Sequence, residues 1–154
     1  MTRRDPERLR ALKRAHAAPA TGPTPRTEDY IEVVYELILE KGYARIIDIG
    51  AHLDVSSPTV TKMIQRLAEE GLVEYERYRG IALTPEGTEL AKKLRHRHDL
   101  LTSFLKLLGA EDASAHRQTE GIEHHLDATT LARIAELVEY AGAHPEWWAA
   151  ARKK

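Results

Sequence analysis

From Thr27 onward the chain alternates apolar and polar residues with a helical period. Tyr30, Val33, Val34, Leu37 and Ile38 recur every three or four residues, Thr27 stands where an N-cap belongs, and Lys41-Gly42 breaks the run. This predicts a first helix over 27–41. A second, short helix is predicted over 44–53, with Ile46, Ile47, Ile49 and Leu53 apolar, followed by the turn Asp54-Val55-Ser56. Ser56 or Ser57 can cap a third helix, Pro58 is tolerated in its first turn, and Gly71 ends it. Val60, Ile64 and Leu67 give that helix one buried stripe. The other face carries Ser57, Pro58, Thr59, Thr61, Lys62, Gln65 and Arg66, mostly short or flexible polar groups suited to phosphate and base-edge contacts. Two helices joined by a three-residue turn, the second polar outward, have helix-turn-helix spacing.

The pattern then changes. Leu72 to Thr84 has strand-like composition, with Arg77-Tyr78-Arg79-Gly80 at its centre as a basic, aromatic hairpin tip. A hairpin directly after a helix-turn-helix is a winged-helix arrangement, and Arg77, Tyr78 and Arg79 are its candidate backbone contacts. From Thr84-Pro85 a long amphipathic helix runs to about Leu108, with Leu90, Leu94, Leu101, Phe104, Leu105 and Leu108 on one side. It is too long for the small domain alone. Two more helices are predicted at about 112–126 and 129–141, then a tail from Ala143 holding Trp147 and Trp148 as packing residues. The expected fold is therefore mainly α: a winged helix-turn-helix with a two-stranded β-wing over 27–84, and an α-helical dimerisation domain over 85–154.

Charge adds an arm to this picture. Residues 1–26 hold seven Arg or Lys against two Asp or Glu, whereas the remaining 128 hold sixteen against twenty-two. The expectation is a flexible basic arm on an acidic body, so any case for nucleic acid rests on local pattern rather than on overall charge. Cysteine is absent, which excludes disulfides, thiolate zinc sites and cysteine nucleophiles, and leaves oxygen and imidazole as metal ligands. No apolar run approaches a membrane span, and the basic start lacks the apolar core of a secretory signal. A cytoplasmic protein with no membrane partner is expected.

Three short clusters combine carboxylates with imidazoles. Asp29 and Glu32 are i, i+3 on the first helix, His98 lies midway along the long helix, and Glu120, Glu123 and His124 are i, i+3 and i+4 on the next. Each alone reads as charged residues on a solvated helix face, although Gly121 inside a helix costs about 1 kcal/mol against Ala and points to a special need there. Together they provide four carboxylates and two imidazoles from three helices. Four carboxylates brought close would repel or take up protons, so the set calls for a charge-neutralising partner, and oxygen-rich ligation suits Mn²⁺ or Fe²⁺.

The motifs Thr27-Glu-Asp-Tyr-Ile-Glu32, Lys41-Gly-Tyr-Ala-Arg45, Pro58-Thr-Val-Thr-Lys-Met63, Tyr78-Arg-Gly80, Arg97-His98 and Glu120-Gly-Ile-Glu-His-His125 occur in order. In them the chain resembles the diphtheria-toxin-repressor family, in its manganese-transport-regulator branch, over about residues 27–141. The resemblance implies a homodimeric, metal-activated repressor that binds a pseudo-palindromic operator in double-stranded DNA and shuts off metal uptake genes. It also implies two Mn²⁺ ions per chain, one held by Asp29, Glu120, Glu123 and His124, the other by Glu32 and His98 with Glu120 and Glu123 bridging. The iron-sensing branch usually has Met at the position of Asp29 and Cys at that of Glu120, so both residues favour manganese, with Fe²⁺ as a further candidate.

The iron branch also has an ancillary site. Its histidines align with His98 and His116, but its glutamate position is Thr102 here, so His116 is expected at the surface, and His125 on an outer face. The two-domain form, without a third domain, is expected. Competing readings are a winged helix controlled by iron or another small ligand, and a di-metal carboxylate enzyme. The enzyme usually carries paired Glu-x-x-His motifs, which this chain lacks.

Overall fold

The computed structural model describes residues 25–76, 78 and 80–153. Most of the predicted basic arm, together with Arg77 and Arg79 of the wing, lies outside the described residues. Helix α1 spans Pro25–Lys41 and starts two residues before the sequence pattern placed it. Proline at the first helical position explains the shift, because its missing N–H would be unpaired there and its φ is already set. Thr27, Tyr30, Ile31, Val34 and Leu37 form the buried stripe.

The second helix, α2, is Ile46–Leu53, shorter than predicted. Ala44 is extended instead: its carbonyl accepts from the Ile81 amide at 2.9 Å, and the two residues form an antiparallel bridge. Pairing with the wing thus overrides a helical apolar pattern at that end. At the other end Asp54 takes a left-handed conformation (φ 52°, ψ 47°) and the Val55 amide donates to Gly50 O at 3.0 Å. A Cβ on Gly50 would lie 2.8 Å from the Val55 carbonyl, so the turn folds back closer than any other residue there allows. Helix α3, Ser57–Glu69, follows with Val60, Ile64 and Leu67 buried. Ser56 holds the N-cap position, but its hydroxyl bonds Thr59 Oγ1 at 2.8 Å rather than the backbone.

Strands β1 (Val73–Glu76) and β2 (Gly80–Leu83) pair antiparallel, Val73 opposite Leu83 and Glu76 opposite Gly80, and make the predicted wing. Helix α4, Pro85–Leu107, is bolted to the wing's base: Thr84 Oγ1 accepts from the Gly87 amide at 3.0 Å and donates to Gly71 O at 2.7 Å. Ala91 and Leu94 on its first half close the main core, which also holds Tyr30, Ile31, Val34, Leu37, Ile49, Val60, Ile64, Leu67, Val73 and Ile81.

The second half of α4 carries the rest of the chain. Helix α5 is Asp112–Ile122, a 3₁₀ turn covers Glu123–His125, and α6 is Ala128–Ala143. The predicted tail is instead a helix, α7 (Pro145–Arg152), again opened by proline and tied to α4 by Trp148 Nε1 donating to Leu107 O at 3.1 Å. The interior here is thin. It holds Leu101, Thr102, Ala115, Thr119, Glu123 and Ala141, while Leu108, Ile122, Tyr140 and Trp147 are exposed. Such apolar surface is what a second copy covers in a homodimer. Among the described residues no helix is long and apolar enough to cross a membrane.

Two glycines test this packing in opposite directions. A Cβ at Gly87 would lie 1.9 Å from the Leu72 carbonyl, whereas one at Gly121 meets nothing within 4 Å, so no steric need accounts for Gly121. Gly87→Ala is expected to lower the urea midpoint by the equivalent of about 1–3 kcal/mol. Gly121→Ala is expected to raise it by up to about 1 kcal/mol.

Candidate metal centre and nucleic-acid interface

Three segments that are far apart in sequence meet beside the first turn of α1. Consecutive turns of α1 present Glu28, Asp29 and Glu32, the middle of α4 presents Arg97 and His98, and the end of α5 with its 3₁₀ turn presents Glu120, Glu123 and His124. The α-helix ends at Ile122, so Glu123 and His124 are not on its regular face as predicted. A 3₁₀ turn advances about 120° per residue instead of 100° and swings His124 around the helix end. One ligand atom each from His98, Glu120 and Glu123 lies within 4.8 Å of the other two.

Glu123 is the centre of the arrangement. It has no exposed surface, and its two carboxylate oxygens face different imidazoles: Oε2 is 3.2 Å from His98 Nδ1, and Oε1 is 3.8 Å from His124 Nε2. Glu120 Oε1 is 3.5 Å from His98 Nδ1, and Asp29 Oδ1 is 3.8 Å from His124 Nε2. His98 also bonds His116 through its other nitrogen at 2.9 Å, and the two rings stack at 5.2 Å. His116, expected as a plain surface residue, is half exposed but engaged. Thr102 is buried and bonds Thr119 at 3.1 Å, so that position offers a hydroxyl, not a carboxylate. His125 is exposed.

Two residues to which the sequence reading gave no role in the site belong to this cluster. Glu28 Oε2 accepts from His124 Nδ1 at 2.6 Å and from Arg97 Nη2 at 2.8 Å, and all three side chains are largely buried. Each stands next to a predicted ligand, Glu28 beside Asp29 and Arg97 beside His98. Their adjacency was visible in the sequence, but their pairing across 69 positions was not.

The helix-turn-helix presents the predicted face. Ser57, Pro58, Lys62, Gln65 and Arg66 are exposed on α3, and Thr59 and Thr61 are half buried. A groove of about 740 Å³ runs along Pro58, Thr59, Lys62, Met63, Gln65, Arg66 and Glu69. Thr61 Oγ1 donates to Ser57 O at 3.0 Å, and Arg66 pairs with Glu70 at 2.9 Å, so both begin with intrahelical partners. Tyr78 is 89% exposed at the wing tip.

Electrostatics distinguish the carboxylate cluster from an ordinary acidic surface. Burial, then Glu123 and Glu120, push the Glu32 carboxyl up to about 8, against a smaller opposing pull from Arg97. Burial also raises Glu123 and Asp29, with Glu120 adding to the first and His124 partly opposing the second. Glu123 Oε1 is buried without a hydrogen-bond partner among the described residues. A buried acceptor that nothing donates to, among carboxylates that resist ionisation and beside two imidazoles, fits a divalent cation. Without metal, Glu32 in the folded chain keeps a proton that it releases in the unfolded chain, between about pH 4.5 and 8, and the raised Glu123 and Asp29 act in the same direction. The stability of the metal-free chain therefore falls as pH rises through that window. The urea midpoint of chelator-treated protein is expected to be lower near pH 8.5 than near pH 6, and a midpoint that rises over this range would contradict the burial of these groups.

Known proteins share this combination. Residues 24–81 match the iron dependent repressor N-terminal DNA binding domain, and residues 84–146 match the iron dependent repressor metal binding and dimerisation domain. The chain is 49% identical over 118 residues to the HTH-type transcriptional regulator MntR of Geobacillus kaustophilus (strain HTA426), covering 77% of this chain and 84% of that one. It is 47% identical over 124 residues to MntR of Lysinibacillus sphaericus (strain C3-41), covering 80% and 89%. Among solved structures, the manganese regulator SloR superposes with a TM-score of 0.65 at 30% identity, covering 74% of this chain and 54% of that one. The metal-dependent transcriptional regulator MtsR superposes with 0.70 at 26%, covering 76% and 55%. The chain thus spans about half the length of these two solved regulators. With both halves matched in order and a curated relative near half identity across most of its length, the chain belongs to the iron-dependent repressor family, the family of the diphtheria toxin repressor.

Proposed function

We propose that the chain is a manganese-activated repressor that, as a homodimer in the cytoplasm, binds a pseudo-palindromic operator and controls metal uptake genes. The observation that carries this reading is the buried Glu123 carboxylate, held between His98 and His124 beside carboxylates of α1, the helix against which the helix-turn-helix packs. Relatives named MntR and a neighbour named a manganese regulator support it.

By this reading Asp29, Glu120, Glu123 and His124 would hold one ion, and Glu32 and His98, together with Glu120 and Glu123, would hold a second. Oxygen donors at Asp29 and Glu120 suit a hard ion such as Mn²⁺. When bound, the cations supply the positive charge that lets these carboxylates ionise side by side. The protein does the rest. Asp29 and Glu32 ride on α1, His98 on α4, and Glu120, Glu123 and His124 at the end of α5, so drawing them together fixes α1 against the dimerisation half. The position of α1 sets that of α3. In the dimer the two α3 helices must stand about 34 Å apart to enter successive major grooves, and preferential binding to that arrangement shifts the population toward it.

Calorimetric titration of Mn²⁺ into chelator-treated protein, with stoichiometry read by electron paramagnetic resonance, is expected to give two ions per chain. Absence of binding to high micromolar Mn²⁺ would leave a winged-helix dimer with another signal. Asp29→Ala and Glu120→Ala are each expected to abolish Mn²⁺-dependent DNA binding while sedimentation still shows a dimer; a variant that responds normally removes that residue from the ligand set. On the DNA side, Lys62→Ala is expected to lower the salt slope of binding by about 1 across sequences. Gln65→Ala is expected to relax preference at one base position, at a cost of about 1–3 kcal/mol on the best site. A salt slope that stays put, or a preference that does, excludes the corresponding contact.

A further inference from the structure

The two nitrogens of the His124 ring face consecutive residues of α1, and one of them is held. Glu28 Oε2 meets Nδ1 at 2.6 Å, and Asp29 Oδ1 lies 3.8 Å from Nε2. A carboxylate can only accept, so Nδ1 carries the proton and donates. Arg97 Nη2 donates to the same oxygen at 2.8 Å, and the 3.3 Å between Arg97 Nη2 and His124 Nδ1 is the spacing of two donors that share one acceptor. In the neutral ring Nε2 then carries the lone pair, and Asp29 Oδ1 and the unpartnered Glu123 Oε1 each lie 3.8 Å from it, beyond hydrogen-bond reach. A lone pair and two carboxylate oxygens around one point repel unless a proton or a metal ion stands between them.

We propose that Glu28, itself held by Arg97, is a positioning residue: it fixes the Nδ1–H tautomer of His124, so that Nε2 is presented to the metal, and joins α1 to α4 and the 3₁₀ turn before any metal binds. The metal half of this proposal rests on the function proposed above; the tautomer half does not. The three side chains are 12%, 18% and 12% exposed, so water competes little for these bonds. The pairs Glu28-Asp29 and Arg97-His98 each set one clamp residue beside one candidate ligand, so a helix that seats its clamp also aims its ligand. A carboxylate–histidine–metal relay of this kind typically changes metal affinity by about 10- to 100-fold when its outer member is removed.

The test uses the full chain. Two-dimensional ¹⁵N–¹H spectra of the imidazole rings in chelator-treated protein are expected to show His124 as the Nδ1–H tautomer, and Glu28→Ala is expected to shift it toward Nε2–H. Mn²⁺ affinity is expected to fall about 10- to 100-fold in Glu28→Ala. Glu28→Gln keeps the volume and an accepting oxygen, and is expected to keep the tautomer with a smaller loss of affinity; it carries the comparison if Glu28→Ala does not fold. Arg97→Met is expected to weaken Mn²⁺ binding and Arg97→Lys to restore part of it, a rescue that a merely structural role would not produce. If His124 keeps Nδ1–H in Glu28→Ala, or the variant binds Mn²⁺ as tightly as the parent, the proposal is overturned. If the parent chain binds no Mn²⁺, the proposed function falls, while the tautomer spectra still decide the role of Glu28.

Discussion

A carboxylate with no contact with water has to be compensated by its neighbours, and the constraint set by Glu123 organises everything around it. Moving an isolated charge into a protein interior costs several kcal/mol, and the usual remedies are a proton, a cationic partner or a metal. Here one oxygen faces His98 and the other faces His124 without a bond, while Glu120 adds repulsion. The helix end that carries Glu123 tightens into a 3₁₀ turn, which sets His124 against α1. The site is therefore a frustrated element in a molecule whose other contacts agree with one another.

Helix α1 has two duties that share its surface. Its apolar stripe from Tyr30 to Leu37 holds α2, α3 and the wing in one core, and its acidic first turn faces α4 and the 3₁₀ turn. A single rigid helix thus converts side-chain contacts at one end into the placement of the DNA-reading face. The dimerisation half, by contrast, has a small interior, and it leaves Leu108, Tyr140 and Trp147 exposed.

The parts that could be read from the chain are those whose signals are local. The α3 stripe of Val60, Ile64 and Leu67, the hairpin around Tyr78 and the i, i+3 carboxylates were legible because a helix or strand period places them without reference to anything distant. Ala44 was misread because its extended conformation comes from Ile81, thirty-seven positions away, and no local pattern records that. The last helix was hidden by short length and a proline that marks a start as readily as a stop. Glu28 and Arg97 were passed over for another reason. Their own residue types look like solvated surface charge, and only the burial of both reveals a clamp. Gly121 misled in the opposite sense, since a residue read as a sign of some special need faces open space, and close packing is not that need.

Helix α4 runs unbroken for 23 residues from the core of one half into the centre of the other, and Gly87 presses its first turn onto the backbone of Leu72. There is no linker between the halves to lengthen or shorten. In many two-domain proteins the reach between binding surfaces can drift by inserting a residue or two into a loop, at little energetic cost. This chain lacks that freedom at its junction. The placement of α1 against the second half is retuned through the lengths of side chains that cross from α1 to α4 and the 3₁₀ turn, in steps of one methylene. On the function proposed above, operator spacing and ligand choice are therefore inherited together, and a change of metal preference carries a change of DNA geometry with it.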